Sequence, residues 1–522
     1  MSLSAFRRSF LALAGVALCW AGASSTLAGQ LILKNTSDAA ITCTVDGWTT
    51  ATGASFDWFI KVQPNQPFYV GQNTTRAGGP VINWAQCGNL PQTRQMTITP
   101  EGPNQTLVLN GQQSRVLNVS LYPYLPTLPT DDFEGLVAHV VQTYQAQNPQ
   151  VLLNAVLNQN VNIYSFTDLP TLLGAQGFDV IELDTLYLGF LASQRLINPA
   201  QVTGDAPLTV AANAAKINGQ LYGIPSWLCM DFIYSASSAI QQQTSLSGLL
   251  GFLGTQPNTK PELVGTYNGS WRIPSIYING YVQTYGYGQI AQSMQMPPNQ
   301  PVINNLVSLS NTCAYQNVNN CTNNDYHNQP NGASEQTFAS GQASSDMGFS
   351  EQSFFVNLYG PVAPLYVTPT PWGRSPQPLL YSDAFVSSAA TCAPNSACAG
   401  DATTFTTLMT GVAMKNYIVE SQDLPAGSPW RTLLVSNAAF WQQPQILNNA
   451  MYQQYSQVFT TAQPFPNTFT AAQQATIGSQ VCGALKAAQP TFVCNSAPAA
   501  ESPAALGTSS AAPAVAKSRR GL

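Results

Sequence analysis

Charge is scarce in this chain: Asp, Glu, Lys and Arg make up only 8% of its 522 residues, and the acids outnumber the bases by 23 to 18, giving a net charge of -5. With a pI near 5.0, no basic surface is available for nucleic acid or anionic lipid, and a cationic or neutral small ligand fits better than a polyanion. Histidine is nearly missing. His139 and His327 are not spaced with cysteines as zinc ligands would be, and there is no Cys-x-x-Cys, so a metal site is not expected. Beyond the first 28 residues no run is long and apolar enough to span a bilayer, and no internal repeat is apparent. Asn, Gln, Ser and Thr fill the space left by charge, with 21 Tyr and 9 Trp. The length allows two or three domains with sizeable cores.

Residues 1–28 read as an export signal. Arg7-Arg8 precede an uncharged stretch from Ser9 to about Gly22, and small residues lead to Thr26-Leu27-Ala28. The arginine pair with Phe10-Leu11 hints at twin-arginine export, and the general secretory route is equally open. Removal of this segment takes Cys19 and leaves nine cysteines in a periplasmic or secreted protein. Eight fall at 43 and 87, 313 and 321, 392 and 398, and 482 and 494. Proximity favours those pairs, although eight cysteines permit 105 arrangements. Cys229 is left over, inside the apolar segment Gly223-Ile224-Pro225-Ser226-Trp227-Leu228-Cys229-Met230. An unpaired thiol in an oxidising compartment is exposed to disulfide exchange, which makes a reactive role the best reason for it.

Residues 30–115 carry short β-type runs at Leu31-Ile32-Leu33, Ile41 to Val45, Phe68-Tyr69-Val70, Met96 to Thr99 and Leu107-Val108-Leu109, separated by Gly, Asn and Pro. They predict a small antiparallel sandwich, stapled by a bridge between Cys43 and Cys87. Exposed aromatics such as Trp48 or Trp58 would suit a glycan, with core packing the commoner use of Trp in such a domain. From residue 116 the pattern alternates. Strands are expected at Val116–Leu121, Val161–Tyr164 and Phe178–Leu183, a helix at Phe133–Gln147 capped by Asp131 or Asp132, and a helical run from Thr185 to Leu196. This is a layered α/β arrangement over 116–495, with ligand groups on loops at the carboxyl ends of strands. Residues 496–522 are Ala, Pro and Ser rich and are expected to be disordered.

Five segments of the α/β part form an ordered set: Ser120-Leu121-Tyr122-Pro123-Tyr124-Leu125-Pro126, Phe178 to Asp184, Asn218-Gly219-Gln220-Leu221-Tyr222-Gly223-Ile224-Pro225 running on to Leu228-Cys229, Gly348-Phe349-Ser350-Glu351, and Leu380-Tyr381-Ser382-Asp383. In this order they resemble the thiaminase I (thiamin pyridinylase) family over roughly residues 116 to 480. The resemblance implies a two-lobed α/β fold of the type II periplasmic binding protein kind, preceded here by the β-rich domain. It also implies an activity: displacement of the thiazole of thiamin from its pyrimidine methylene, followed by transfer to an amine or thiol.

By resemblance, Cys229 is the nucleophile and Glu351 the base, Asp184 and Asp383 hold the aminopyrimidine, and Tyr122 and Tyr381 line the same pocket. Phe349 stands where the family pattern has tyrosine, so one hydroxyl contact is missing. The chemistry suits the residue types: a thiol of ordinary pKa needs a base beside it, and with no histidine in the motifs a carboxylate is the remaining partner. The cationic thiazolium is itself a good leaving group, so the implied reaction requires no metal or organic cofactor. A monomer is expected.

Each assignment has a plainer competitor. Cys229 would serve as a core residue, Glu351 as a helix-start acid, Asp184 as a helix cap and Tyr122-Pro123-Tyr124 as a packed turn. At the level of the whole chain, the alternatives are a solute-binding protein of the same fold for thiamin or a related ligand, and an adhesion or toxin-like module acting through residues 30–115.

Overall fold

The computed structural model of the chain describes residues 29–490 and 492, apart from 50–54, 71–79, 95–103, 158–160, 266, 268–270, 323–331, 361 and 376. The expected signal segment, the Met96–Thr99 strand, His327 and the 496–522 tail lie outside the described residues.

Two three-stranded sheets occupy the front of the chain. One orders Phe68–Val70, Leu31–Asn35 and Gln105–Leu109; the other orders Ser55–Val62, Ile41–Thr49 and Pro80–Cys87. They enclose Leu31, Leu33, Val45, Ile60, Val62, Ile82, Leu107 and Leu109. The expected antiparallel pattern needs one correction: Leu31–Asn35 and Gln105–Leu109 run parallel. Cys43 and Cys87 are directly opposed partners on neighbouring strands and are disulfide-bonded. Trp58 stacks on Phe56 with ring centroids 3.9 Å apart, while Trp48 and Phe59 stay exposed. The same core takes in Leu152 from the following sheet. Across the junction, Arg94 N–H donates to Asn118 Oδ1 (2.8 Å) and Asn154 Nδ2 donates to the Arg94 carbonyl (2.9 Å), so the front sheets are joined to the rest by apolar and buried polar contacts.

The next sheet is the largest. Its path runs Leu434–Val435, Ile224–Cys229, Leu379–Ser387, Val180–Asp184, Arg115–Ser120, Val151–Val156, with Gln463–Pro464 joining Leu379–Ser387. Arg115–Ser120 and Val151–Val156 are parallel and linked by the helix Glu134–Gln147, which buries Leu136, Val137, Val140, Val141 and Tyr144. The helix begins through Phe133 in a left-handed conformation (φ 63°), so neither Asp131 nor Asp132 is the cap residue itself. Their carboxylates instead accept the Phe133 and Glu134 N–H groups at 3.2 and 3.1 Å.

The expected strand at Val161–Tyr164 is a turn. Asn162 folds its side-chain oxygen onto the Tyr164 N–H (3.2 Å), a local bond that competes with sheet pairing. The sheet takes Val151–Val156 instead, a run buried along its whole length. The helical run after residue 184 forms as a 3₁₀ turn, Thr185–Tyr187, and a short helix, Leu188–Ser193.

A second, four-stranded sheet orders Val264–Gly265, Ser345–Gly348, Phe232–Ser235 and Tyr366–Pro369. The chain passes from the large sheet to the small one through Met230-Asp231 and returns between Pro369 and Leu379. Cys313–Cys321 and Cys392–Cys398 are disulfides, and Cys482 is disulfide-bonded while Cys494 lies outside the described residues. Cys229 is the free cysteine among the described residues. No helix among them is long and apolar enough to cross a membrane.

Candidate active site

The Asn218-Gly219 pair, both at positive φ (50° and 81°), turns a short hairpin whose second arm leads to Gly223. A Cβ on Gly223 would lie 2.8 Å from that of Ala384, so glycine lets the incoming strand close onto Leu379–Ser387. Ile224–Cys229 then pairs antiparallel with that strand. The register shifts between Pro225 and Trp227, which makes Ser226 a bulge and sets Trp227 opposite Asp383 and Cys229 opposite Tyr381. On the other side Asp383 lies opposite Asp184. Directly opposed residues share a face, and so do residues two apart. One face of the large sheet thus carries Cys229, Tyr381, Asp383, Asp184 and Glu182.

Cys229 ends its strand immediately before the crossover to the small sheet. Glu351 arrives from that small sheet, three residues after Ser345–Gly348 and at the start of the helix Gln352–Tyr359. Cys229 Sγ lies 3.5 and 3.6 Å from the two Glu351 carboxylate oxygens, and Ser350 Oγ donates to Glu351 Oε2 at 3.0 Å. Tyr122 leaves the end of Arg115–Ser120 and meets Tyr164 hydroxyl to hydroxyl at 3.3 Å. Cys229, Glu351, Tyr122 and Tyr164 are partly accessible, whereas Asp184, Asp383 and Tyr381 are buried. All six sequence-predicted residues therefore converge where the two sheets meet. Two plainer roles are also present: Asp184 Oδ1 accepts the Leu186 N–H at 3.0 Å, and Glu351 starts a helix.

Sequence reasoning missed several groups. Glu182, two residues before Asp184, accepts the Tyr122 N–H at 2.9 Å and the Ser226 hydroxyl. The Ser226 oxygen also accepts from Lys415 Nζ at 2.6 Å. Asp231, two residues past Cys229, is ion-paired with buried Arg272, whose guanidinium lies 4.8 Å from the Phe349 ring centre. Phe349 meets Tyr381 edge-on. Alternation along Val180–Asp184 would have revealed Glu182, and a lysine on the apolar face of the helix Val412–Val419 would have revealed Lys415.

The electrostatics follow from crowding acids into a low-dielectric pocket. Burial pushes the Glu351 carboxyl up from the ordinary carboxylate range. It does the same to Asp184, up to about 7, and to Asp383, which the neighbouring Asp184, Glu182 and Glu351 raise further. Burial, with the negative charges of Glu351, Asp383 and Asp231, holds the Cys229 thiol well above its usual value. Five carboxylates, Glu182, Asp184, Asp231, Glu351 and Asp383, face two cations, Lys415 and Arg272. Asp179, Cys392 and Cys398 form the one cluster of three metal-type side chains among the described residues, and its two sulfurs are joined as a disulfide.

No protein-family model matches the chain. Among curated proteins it is similar to thiaminase-1 of Paenibacillus thiaminolyticus, 26% identical over 201 residues; the match covers 36% of this chain and 44% of that protein, less than half its length. Thiaminase I from Bacillus thiaminolyticus superposes with a TM-score of 0.55 at 20% identity, and Clostridium botulinum thiaminase I in complex with thiamin gives 0.55 at 16%, each covering 71% of this chain and 99% of the other. A maltodextrin-binding protein from L. casei, without ligand, gives 0.50 at 13% identity over 72% of this chain and 94% of its own. The chain thus resembles thiaminase I in sequence and fold. Its α/β part has the two-lobed architecture of type II periplasmic binding proteins, with a β-rich part in front.

Proposed function

We propose that the chain is an exported thiaminase I, with residues 116–495 as the catalytic unit and the β-rich front as an accessory domain. The observation that carries this reading is the 3.5 Å approach of the unpaired Cys229 thiol to the Glu351 carboxylate, over a floor that holds Asp184 and Asp383. The likeness to thiaminase I in sequence and fold supports it, and the disulfides fit an oxidising compartment.

A pocket rich in carboxylates favours a cationic ligand, and thiamin carries a thiazolium. Before substrate binds, the thiol stays protonated. A bound cation opposes the acids' field and lowers the cost of forming thiolate, so the nucleophile is generated when the substrate is present. Glu351 takes the thiol proton and the sulfur adds to the pyrimidine ring. The electron pair pushed into the ring then expels the thiazole from the methylene as a neutral leaving group. An amine or thiol adds at the methylene carbon and loses its proton to water, the pair returns through the ring, and the Cys229 carbon–sulfur bond breaks, the departing thiolate taking back the proton held by Glu351. Asp184 and Asp383 hydrogen-bond the aminopyrimidine and stabilise charge developing on the ring. Tyr122 and Tyr381 form the walls.

The test is intact-protein mass after incubation with thiamin and no acceptor. A gain equal to the pyrimidinylmethyl fragment, absent in Cys229→Ser and discharged by an added amine, supports the reading. Thiamin that binds and is returned intact, with no mass gain, overturns it in favour of a solute-binding protein. Transfer that survives removal of the front sheets would count against a function residing there.

A further inference from the structure

A lysine ammonium with no exposure to water is costly to keep, and an apolar residue of similar size would usually serve the core better. Lys415 is such a lysine, fully enclosed on the helix Val412–Val419 beside Met414, Ile418 and Val419. Its Nζ donates to Ser226 Oγ at 2.6 Å and sits 3.3 Å from the Trp227 ring centre. Ser226 is the bulge that sets the register of the cysteine strand, and its hydroxyl donates onward to Glu182 Oε1. The other Glu182 oxygen holds the Tyr122 N–H. One chain of contacts therefore runs from the lysine through the cysteine strand to the pocket wall.

The charged surroundings of Lys415 are acidic. Asp383 comes from the strand beside the cysteine strand, and Glu182 comes from the strand after that, where Asp184 lies opposite Asp383. The strand Ile224–Cys229 contributes Ser226 and Trp227, and Asp401 on the preceding helix is occupied by Arg115 at 2.8 Å. The attraction between Lys415 and both Glu182 and Asp383 is mutual.

We propose that Lys415 is a positioning residue: the buried cation that lets the Glu182, Asp184 and Asp383 cluster carry negative charge toward the ligand, while holding the Tyr122 wall through Ser226 and Glu182. The inference rests on the same cleft being the ligand site. It predicts that in Lys415→Met the Asp383 carboxyl holds its proton to a higher pH than in wild type. It also predicts that the acid limb of the pH profile of kcat/KM for thiamin moves up by about one unit, about a tenfold loss one pH unit below the wild-type limb. In Lys415→Met/Glu182→Gln the removed positive and negative charges offset each other at Asp383, so the limb returns toward wild type.

Infrared difference spectra of the carboxylic-acid carbonyl band, recorded for wild type and the variants across pH, read the proton directly and need no turnover. A gained acid band in Lys415→Met, lost again in the double variant, supports the proposal, and a moved acid limb with rescue adds the kinetic signature. A folded Lys415→Met with the wild-type acid band and an unmoved limb overturns it, because a purely structural lysine would lower activity or melting temperature without either signature. If Lys415→Met does not fold, Lys415→Gln, which keeps a side-chain N–H donor toward Ser226 and removes the charge, supplies the comparison: a folded Lys415→Gln with the wild-type acid band overturns the proposal. Should wild type leave thiamin intact, the enzyme reading fails by itself and the infrared comparison still decides the role of Lys415.

Discussion

Cys229 Sγ and Glu351 Oε2 are 3.5 Å apart although the two residues belong to different sheets, the cysteine closing a strand of the large sheet and the glutamate following a strand of the small one. The pair exists only where the chain crosses between sheets, so its geometry depends on how the two lobes sit. Replacing Glu351 by Gln keeps the shape and hydrogen-bonding capacity near Ser350 and removes the carboxylate proposed to accept the thiol proton. Glu351→Gln should lower kcat by about 10²–10⁴ with little change in melting temperature. Single-turnover thiazole release measures the first, and a wild-type rate in a folded variant would remove Glu351 from the mechanism.

The burial that raises the Glu351 carboxyl also raises the Cys229 thiol, and the acids around the sulfur raise it further. A thiol held well above its ordinary value has far less than the usual thiolate fraction at neutral pH, so iodoacetamide should alkylate Cys229 at least about tenfold more slowly than free cysteine. Asp383 is one of the charges raising it. Asp383→Asn removes that charge, lowers the thiol's pKa and should speed alkylation at pH 7. A slower rate in the variant would show that the field of Asp383 does not govern the thiol.

Much of this site is readable in the sequence because its parts lie at the ends of short, locally patterned strands. Tyr122 follows one, Asp184 ends another, and Cys229 ends a third behind an Asn-Gly turn. Periodicity can single out Lys415 or Glu182 as out-of-place charges, but not their partners: Lys415 reaches Ser226 across 189 residues and Arg272 reaches Asp231 across 41, contacts that local patterning does not encode. The Val161–Tyr164 turn escapes the pattern because Val-Asn-Ile-Tyr alternates like a strand, while the deciding factor is the Asn162 side chain bonding to the nearby backbone. That turn brings Tyr164 to Tyr122.

Stability should fall as pH rises from about 4 to 7. Asp184 and Glu335 are raised by burial to about 7, and Asp383 and Asp346 are held well above the ordinary carboxylate range, so over this interval the unfolded chain releases protons that the folded chain keeps. Urea midpoints at pH 5 and 7 check the slope; an equal or higher midpoint at pH 7 would contradict it.

Arg431 anchors the loop that carries Tyr122. Its guanidinium donates to the Pro126 carbonyl at 2.8 Å and to both Asp423 oxygens at 2.6 and 2.7 Å, and both side chains are fully enclosed. Arg431→Met strands the Asp423 charge and frees the Pro126 carbonyl, and should cost about 3–5 kcal/mol in equilibrium unfolding. A loss below about 1 kcal/mol, the scale of an exposed ion pair, would mean that water reaches Asp423 when the arginine is gone.

Phe349 tests substrate grip separately from chemistry. The ring packs edge-on to Tyr381 and lies under Arg272, two residues before Glu351 in a position where the thiaminase I pattern has tyrosine. A hydroxyl added there extends an existing ring and supplies one more hydrogen-bonding group beside the pocket. One neutral hydrogen bond contributes about 0.5–1.5 kcal/mol net, so Phe349→Tyr should lower KM for thiamin by about two- to tenfold. The proposed nucleophile and base are untouched, so kcat should stay within about twofold if the contact is made equally in ground and transition states. A fall in kcat with unchanged KM would instead mean that the hydroxyl bonds Arg272 or Tyr381 and pulls the Glu351 segment out of line. Steady-state kinetics with the acceptor amine saturating separates the two outcomes.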